Sequence, residues 1–183
     1  MKQKILVLCT GNSCRSQIAE GYLRHFANDK AEIYSAGVET HGVNPKAIET
    51  MKEDGIDISN HTSNNIDEYF NIDFDFVITV CDNAKERCPF FPTKAKKFHQ
   101  NFPDPAKATV APEEINSKFR EVREMIKVYC REFIELNIQT KNVVLIVRVK
   151  SVKTKRIANT MLAENALATV NHVAAKNKVK LLL

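Results

Sequence analysis

Ile5-Leu6-Val7-Leu8-Cys9-Thr10-Gly11-Asn12-Ser13-Cys14-Arg15-Ser16 is the stretch from which the rest of the chain can be read. A short apolar run ends on a cysteine, a tight polar loop follows, and a helical pattern begins near Ser16. A strand, a loop and a helix in that order bring several backbone N–H groups to one point, beside the positive end of a helix dipole. Such a point suits a tetrahedral oxyanion. Cys9 stands at its mouth, where the same dipoles and Arg15 favour the thiolate. Arg15 adds a planar fork that matches two oxygens of the anion. The opposing interpretation is a chance Cys-x5-Arg with a structural thiol. Gly11, Asn12 and the two serines within a strand-to-helix turn weigh against it.

Working outward, helix signals recur between apolar runs. Ala19, Tyr22, Leu23 and Phe26 fall on one face of a helix expected from Ser16 to Asn28. Glu32–Ala36 reads as a second strand ending at Gly37. Asn44-Pro45 is a helix start, Gly55 a stop, and Ala47, Ile48 and Met51 face inward between them. A short helix is expected around Ile66–Phe70, a buried strand over Phe74–Val80 and a weak fourth strand over Lys96–His99. A long amphipathic helix is expected from Glu113 to Asn137, with Ile115, Phe119, Val122, Ile126, Tyr129 or Cys130, and Phe133 inward. The alternation implies an α/β fold: four parallel strands with helices on both faces.

The 183 residues divide at about 138. Of 27 Lys+Arg, nine lie in 140–183 against a single acid, Glu164, so the body holds 18 bases against 21 acids. The net charge of +5 therefore belongs to the extension over 139–183. The body has no bias toward nucleic acid, and no groove-reading motif accompanies the basic tail. Strand-like Val143–Val149 and helix-like Ile157–Ala175 are the only patterns in that extension. No apolar run reaches the ~20 residues of a membrane span. The five-residue apolar start is short for a signal peptide. A cytoplasmic monomer is expected, whose five cysteines are reactive or buried thiols.

Cys81 follows the third strand as Cys9 follows the first, so both belong at the carboxyl edge of the sheet. Cys88 lies seven residues on. Zinc prefers closer ligand spacing with further Cys or His nearby, so a redox pair fits better than a metal site or two core thiols, and the polar Asp82–Arg87 between them implies accessible thiols. Were 81–88 helical, the two Cα atoms would stand about 10.5 Å apart. A disulfide needs them within roughly 7 Å, so forming one would require unwinding. Asp104, between Pro103 and Pro105, is either a turn residue or a general acid for a leaving oxygen.

Taken together, several features resemble the thioredoxin-coupled arsenate reductases, which share fold and anion loop with the low-molecular-weight protein tyrosine phosphatases. They are Cys9–Ser16, Ser35-Ala36-Gly37, Asn44-Pro45, Asp57-Ile58-Ser59-Asn60-His61-Thr62-Ser63, Cys81 with Cys88, and Asp104-Pro105. The match spans about residues 3–137. It implies a catalytic set of Cys9, Arg15, Cys81, Cys88 and Asp104, with Thr10, Gly11, Asn12, Ser13, Cys14 and Ser16 around arsenate. It also implies a three-thiol relay regenerated by thioredoxin, without a prosthetic group. Some members bind potassium beside the loop. The matching positions are Asn12, Glu20, Ser35 and Thr62, while the family's aspartate position is Asn64 here. Cys14 is expected to be a loop-packing thiol, Cys130 a core residue, and His41 and His61 structural. The rival activity is tyrosine phosphatase, which needs neither Cys81 nor Cys88. Its members usually follow Asp-Pro with a tyrosine, and Ala106 stands here. A non-catalytic thiol or arsenite sensor is the alternative of another class, against which Asp104 counts.

Overall fold

A computed structural model describes residues 1–82, 94–107 and 111–138. The chain divides at Ile138, and the unit Met1–Ile138 holds every described residue. Cys88 and the extension over 139–183, with both of its patterns, lie outside the described residues.

The strands are β1 (Gln3–Cys9), β2 (Ala31–Gly37), β3 (Phe76–Thr79) and β4 (Lys96–His99). They form one parallel sheet in the order β2-β1-β3-β4. β1 is central, and Ile5, Leu6, Val7 and Leu8 are buried because the sheet is covered on both sides. The register pairs Cys9 with Gly37 and Leu8 with Thr79, so the loop after β1 opens between its two neighbours. This is the position where open α/β sheets bind ligands.

Among the described residues the α-helices are α1 (Arg15–Ala27), α2 (Pro45–Glu53) and α3 (Pro112–Asn137). Ile5, Val7 and Ile78 pack with Ile18, Tyr22, Met51, Ile126 and Phe133 on one face of the sheet. On the other, Leu6, Leu8 and Val77 meet Ile66 and Phe74, covered by a 3-10 helix over Ile66–Tyr69. Helical cover thus occurs on both faces, with unequal weight among the described residues. Phe133 locks α3 across the sheet, its ring edge-on to Phe76 and Phe98 at 5.5 and 5.1 Å.

Local chemistry sets the boundaries. Asn44 caps α2 by accepting from the Lys46 N–H at 2.8 Å, with Pro45 at the first helical position. The first turn of α1 closes inside the polar loop, where the Ile18 N–H donates to the Cys14 carbonyl at 2.9 Å. The helix therefore starts at Arg15, and its dipole end becomes part of the loop. α1 is also buried well beyond its apolar stripe: Ser16, Gln17 and Glu20 are buried beside Ala19, Tyr22 and Leu23. Cys130 is fully buried on α3, as expected, and burial pushes its thiol up.

Candidate active site

The loop after β1 is held by its carbonyl groups. Thr10, Gly11 and Ser13 carbonyls accept from the N–H groups of Glu39, His41 and Asn44 at 2.9, 3.1 and 2.8 Å. The Asn12 carbonyl accepts from Gln17 Nε2 at 3.1 Å. A trans peptide points its N–H opposite its carbonyl, so outward carbonyls turn the amides they belong to inward. The result is a cradle of donors at the end of a helix. Gly37 permits the close approach, since a Cβ there would lie 2.7 Å from both the Asn12 nitrogen and the Thr10 carbonyl oxygen. Gly11 does the same for His41, whose Nδ1 would be 2.7 Å from a Cβ.

A pocket of about 220 Å³ opens over the cradle, lined in part by Thr10, Gly11, Ser13, Cys14, Arg15 and Asp104. Arg15 donates to the Asp104 carboxylate at 2.8 Å and to the Phe102 carbonyl at 3.0 Å. The proline-bracketed acid of the sequence thus meets the loop's arginine, and the Ala106 N–H fixes its other oxygen at 3.1 Å. Cys9 is 4% exposed, and its Sγ lies 3.0 Å from Ser16 Oγ. Asn12, with φ of 41°, donates to Ser16 Oγ at 3.0 Å and to Ser35 Oγ at 2.8 Å. Cys14 lines the pocket but stays a thiol: burial, reinforced by Asp104, pushes it up to about 12. This fits the loop-packing expectation.

Cys81 is at the same edge. Its Sγ is 3.5 Å from Thr10 Oγ1, beside Cys9 in the chain. The expected accessibility is corrected: Cys81 is 2% exposed, because it enters the core cluster that also holds Cys9 and Phe102. A second hollow, of about 230 Å³, is lined by Cys81, Arg15, Asp104 and Lys107 among others. Next to it, His99 joins Thr79 Oγ1 at 2.8 Å to Asp82 at 3.1 Å.

The positions matched to potassium ligands do come together, but they hold one another. Ser35 Oγ donates to one oxygen of Glu20 at 2.6 Å, and Arg24 donates to the other at 2.8 Å. Thr62 Oγ1 bonds to Asn64 Oδ1 at 2.7 Å, and the Asn64 amide turns to Glu68. The cation beside Glu20 is therefore a guanidinium, and the acidic ligand at 64 is missing. These residues do not fit a potassium site. Among the described residues no group of three or more His, Cys, Asp and Glu could hold a metal ion.

Several residues at the pocket or bound to the loop escaped the sequence. His41, expected to be structural, lines the pocket with Asn44 and Lys107. Asn44 was legible only as a helix cap, and its grip on Ser13 is a long-range contact. Gln17 is fully buried and bonded to Asn12, Thr62 and His61. Its own helix face carried no signal, since the stripe of Ala19, Tyr22, Leu23 and Phe26 leaves that face to solvent. Burial lowers the pKa of His61, opposed by Glu20 and reinforced by Arg24, which favours the neutral ring.

A central parallel strand, a donor cradle and an arginine–aspartate pair over a buried cysteine define a phosphatase-type oxyanion site. The chain belongs to the low molecular weight phosphotyrosine protein phosphatase family, whose model matches residues 4–144. Within it, the chain is 50% identical to an arsenate reductase of Staphylococcus aureus (strain Newman) over 132 residues, covering 72% of this chain and 96% of the relative. It is 49% identical to arsenate reductase 2 of Staphylococcus epidermidis over the same length and coverage. A solved arsenate reductase in the phosphate binding state superposes with a TM-score of 0.62 at 32% identity, covering 73% of this chain and 97% of that one. A low molecular weight protein tyrosine phosphatase from T. tengcongensis shares the fold, at a TM-score of 0.62 and 24% identity over 73% of this chain and 99% of its own.

Proposed function

We propose that the chain reduces arsenate to arsenite through thiols, in the cytoplasm, with thioredoxin as the external reductant. The observation that carries this reading is a thiol from another strand end against the anion loop, Cys81 Sγ at 3.5 Å from Thr10 Oγ1. Hydrolysis of a phosphocysteine has no use for it. The similarity to arsenate reductases supports the same choice.

The steps follow from the residues. The Cys9 thiolate attacks arsenic held by the loop amides and Arg15. The Asp104 carboxyl donates the proton with which an arsenate oxygen leaves as water. A Cys9–arsenic bond results. The Cys81 thiolate then attacks the Cys9 sulfur. The sulfur–arsenic bonding pair passes to arsenic, which leaves as arsenite, and a Cys9–Cys81 disulfide remains. Cys88 attacks Cys81, releasing Cys9 as a thiolate and leaving a Cys81–Cys88 disulfide. A thioredoxin dithiol takes over that disulfide, and two electrons have moved without a prosthetic group. No step runs through potassium. Removing residues 140–183 should leave turnover largely intact.

Arsenite release with thioredoxin, thioredoxin reductase and NADPH tests the proposal against glutathione with glutaredoxin. Turnover only with the thioredoxin system supports it. Hydrolysis of aryl phosphates without arsenite release under either system would assign the site to the phosphatase reaction.

A further inference from the structure

Gln17 is a fully buried polar residue that the mechanism leaves unused. Its Nε2 faces three oxygens: the Thr62 carbonyl at 2.9 Å, the Asn12 carbonyl at 3.1 Å and Asn12 Oδ1 at 3.1 Å. Backbone carbonyls only accept, so the amide can be oriented one way alone. Its Oε1 therefore faces His61 Nδ1 at 3.0 Å, and that nitrogen must carry the hydrogen. The Asn64 N–H also donates to Asn12 Oδ1, at 2.8 Å. Two donors thus fix the Asn12 oxygen, and its Nδ2 is left to donate to Ser16 and Ser35.

The direction of the remaining bonds follows. Ser35 Oγ accepts from Asn12, so its hydrogen goes to Glu20 Oε2 at 2.6 Å. Ser16 Oγ likewise accepts from Asn12, so its hydrogen is free for the Cys9 sulfur at 3.0 Å. A hydroxyl donating to a thiolate stabilises the charged form. Asn12 holds this arrangement in the left-handed region, with φ of 41°, where a side chain is strained without outside support. Gln17 provides that support by binding the carbonyl and the side-chain oxygen of the same residue.

We infer that Gln17, oriented by His61, is a positioning residue for the nucleophile: it holds Asn12 so that the Ser16 hydroxyl proton is committed to the Cys9 sulfur. This deepens the proposed function but rests only on Cys9 reacting as a thiolate. The test therefore uses neither Cys81 nor Cys88, and failure of the relay would leave it standing.

Alkylation of Cys9 by iodoacetamide is followed by peptide mass mapping in the full chain, for Gln17→Met, Gln17→Glu, Ser16→Ala and Ser16→Ala/Gln17→Met. Loss of the donated proton lowers the thiolate fraction, so both Gln17 variants should slow alkylation about fivefold near pH 6 and less than about twofold near pH 9. A general loosening of the fold would act equally at both pH values. The double variant should react no more slowly than Ser16→Ala alone, since Gln17 acts through Ser16. Equal slowing at both pH values, or additive slowing in the double variant, overturns the inference. Should the Gln17 variants lose a cooperative thermal transition, His61→Leu decides by the same criteria, with an expected slowing of about twofold near pH 6 that vanishes in a Ser16→Ala background.

Discussion

Two cysteines leave adjacent parallel strands at the same edge, and their surroundings differ sharply. Cys9, after β1, enters a loop whose carbonyls are anchored by Glu39, His41, Asn44 and Gln17, with Ser16 3.0 Å from its sulfur. Cys81, after β3, has among the described residues a longer polar contact to the loop, 3.5 Å to Thr10 Oγ1. Both are buried, so exposure does not separate them. Among the described residues each sulfur has one polar contact, and what separates them is the anchoring of the loop that Cys9 enters. The first site is organised to hold a charge in place while an anion is attacked. The second holds a thiol near that loop.

That contrast can be broken at either end. The largest effect belongs to Cys9→Ser: arsenite release should fall by more than about a thousandfold, and aryl phosphatase activity with it, since both begin with the same attack. Cys81→Ser should separate the two activities. It should stop arsenite release while leaving hydrolysis of an aryl phosphate within about threefold, measured on one preparation, because the second thiol enters only after the Cys9 adduct forms. Parallel loss of both would mean that Cys81 supports the loop itself.

Asp104→Asn comes next. Arg15 keeps a hydrogen-bond partner, but the leaving oxygen loses its acid, so the first step should slow about a hundredfold in rapid-quench measurements. An unchanged rate would reduce Asp104 to a partner for Arg15. The smallest effect should come from Thr10→Val, which removes the hydroxyl that lies 3.5 Å from the Cys81 sulfur. Arsenite release should slow by about twofold to fivefold, with the Cys9 alkylation rate unaltered.

A fourth sulfur sharpens the picture further. Cys14 sits in the same loop as Cys9, yet burial pushes it up to about 12 from an ordinary value of 9.0. Iodoacetamide at about pH 9 should modify Cys9 and spare Cys14 in peptide maps. Because the folded value is raised, the unfolded chain loses this proton first as pH climbs. Stability from this group is therefore complete below about 9 and declines toward 12. Denaturant titrations across that range should show a weaker decline in Cys14→Ala.

The fold was legible because its signals are local. The apolar run at Ile5–Leu8, the Asn44-Pro45 cap and the spacing along α3 each state their element without outside help. Strand β4 was legible even as a weak pattern, Lys96–His99. The part of the site carried by short motifs, Cys9 to Ser16 and Asp104 between prolines, was legible for the same reason. What the sequence hid is made of contacts between distant segments. His41 lies over Gly11 because Gly37 lets two backbones approach, and no property of residue 41 announces it. Cys81 reads as accessible from its polar followers, yet the core closes over it. Gln17 is polar on a helix face that the apolar stripe alone leaves to solvent. Its burial follows from the loop and the segment at residues 61–64 folding over α1, which local periodicity does not encode.

One measurement bears most directly on the claim that two strand-end thiols convert attack on an oxyanion into electron transfer. Fully reduced protein is mixed with arsenate in the absence of any external reductant, and arsenite and remaining thiols are counted after a single reaction. The account predicts one arsenite per chain with the loss of two thiols, and no arsenite from Cys81→Ser. Arsenite released from the Cys81→Ser protein in the same yield, or none from the unaltered chain with all thiols intact, would contradict it.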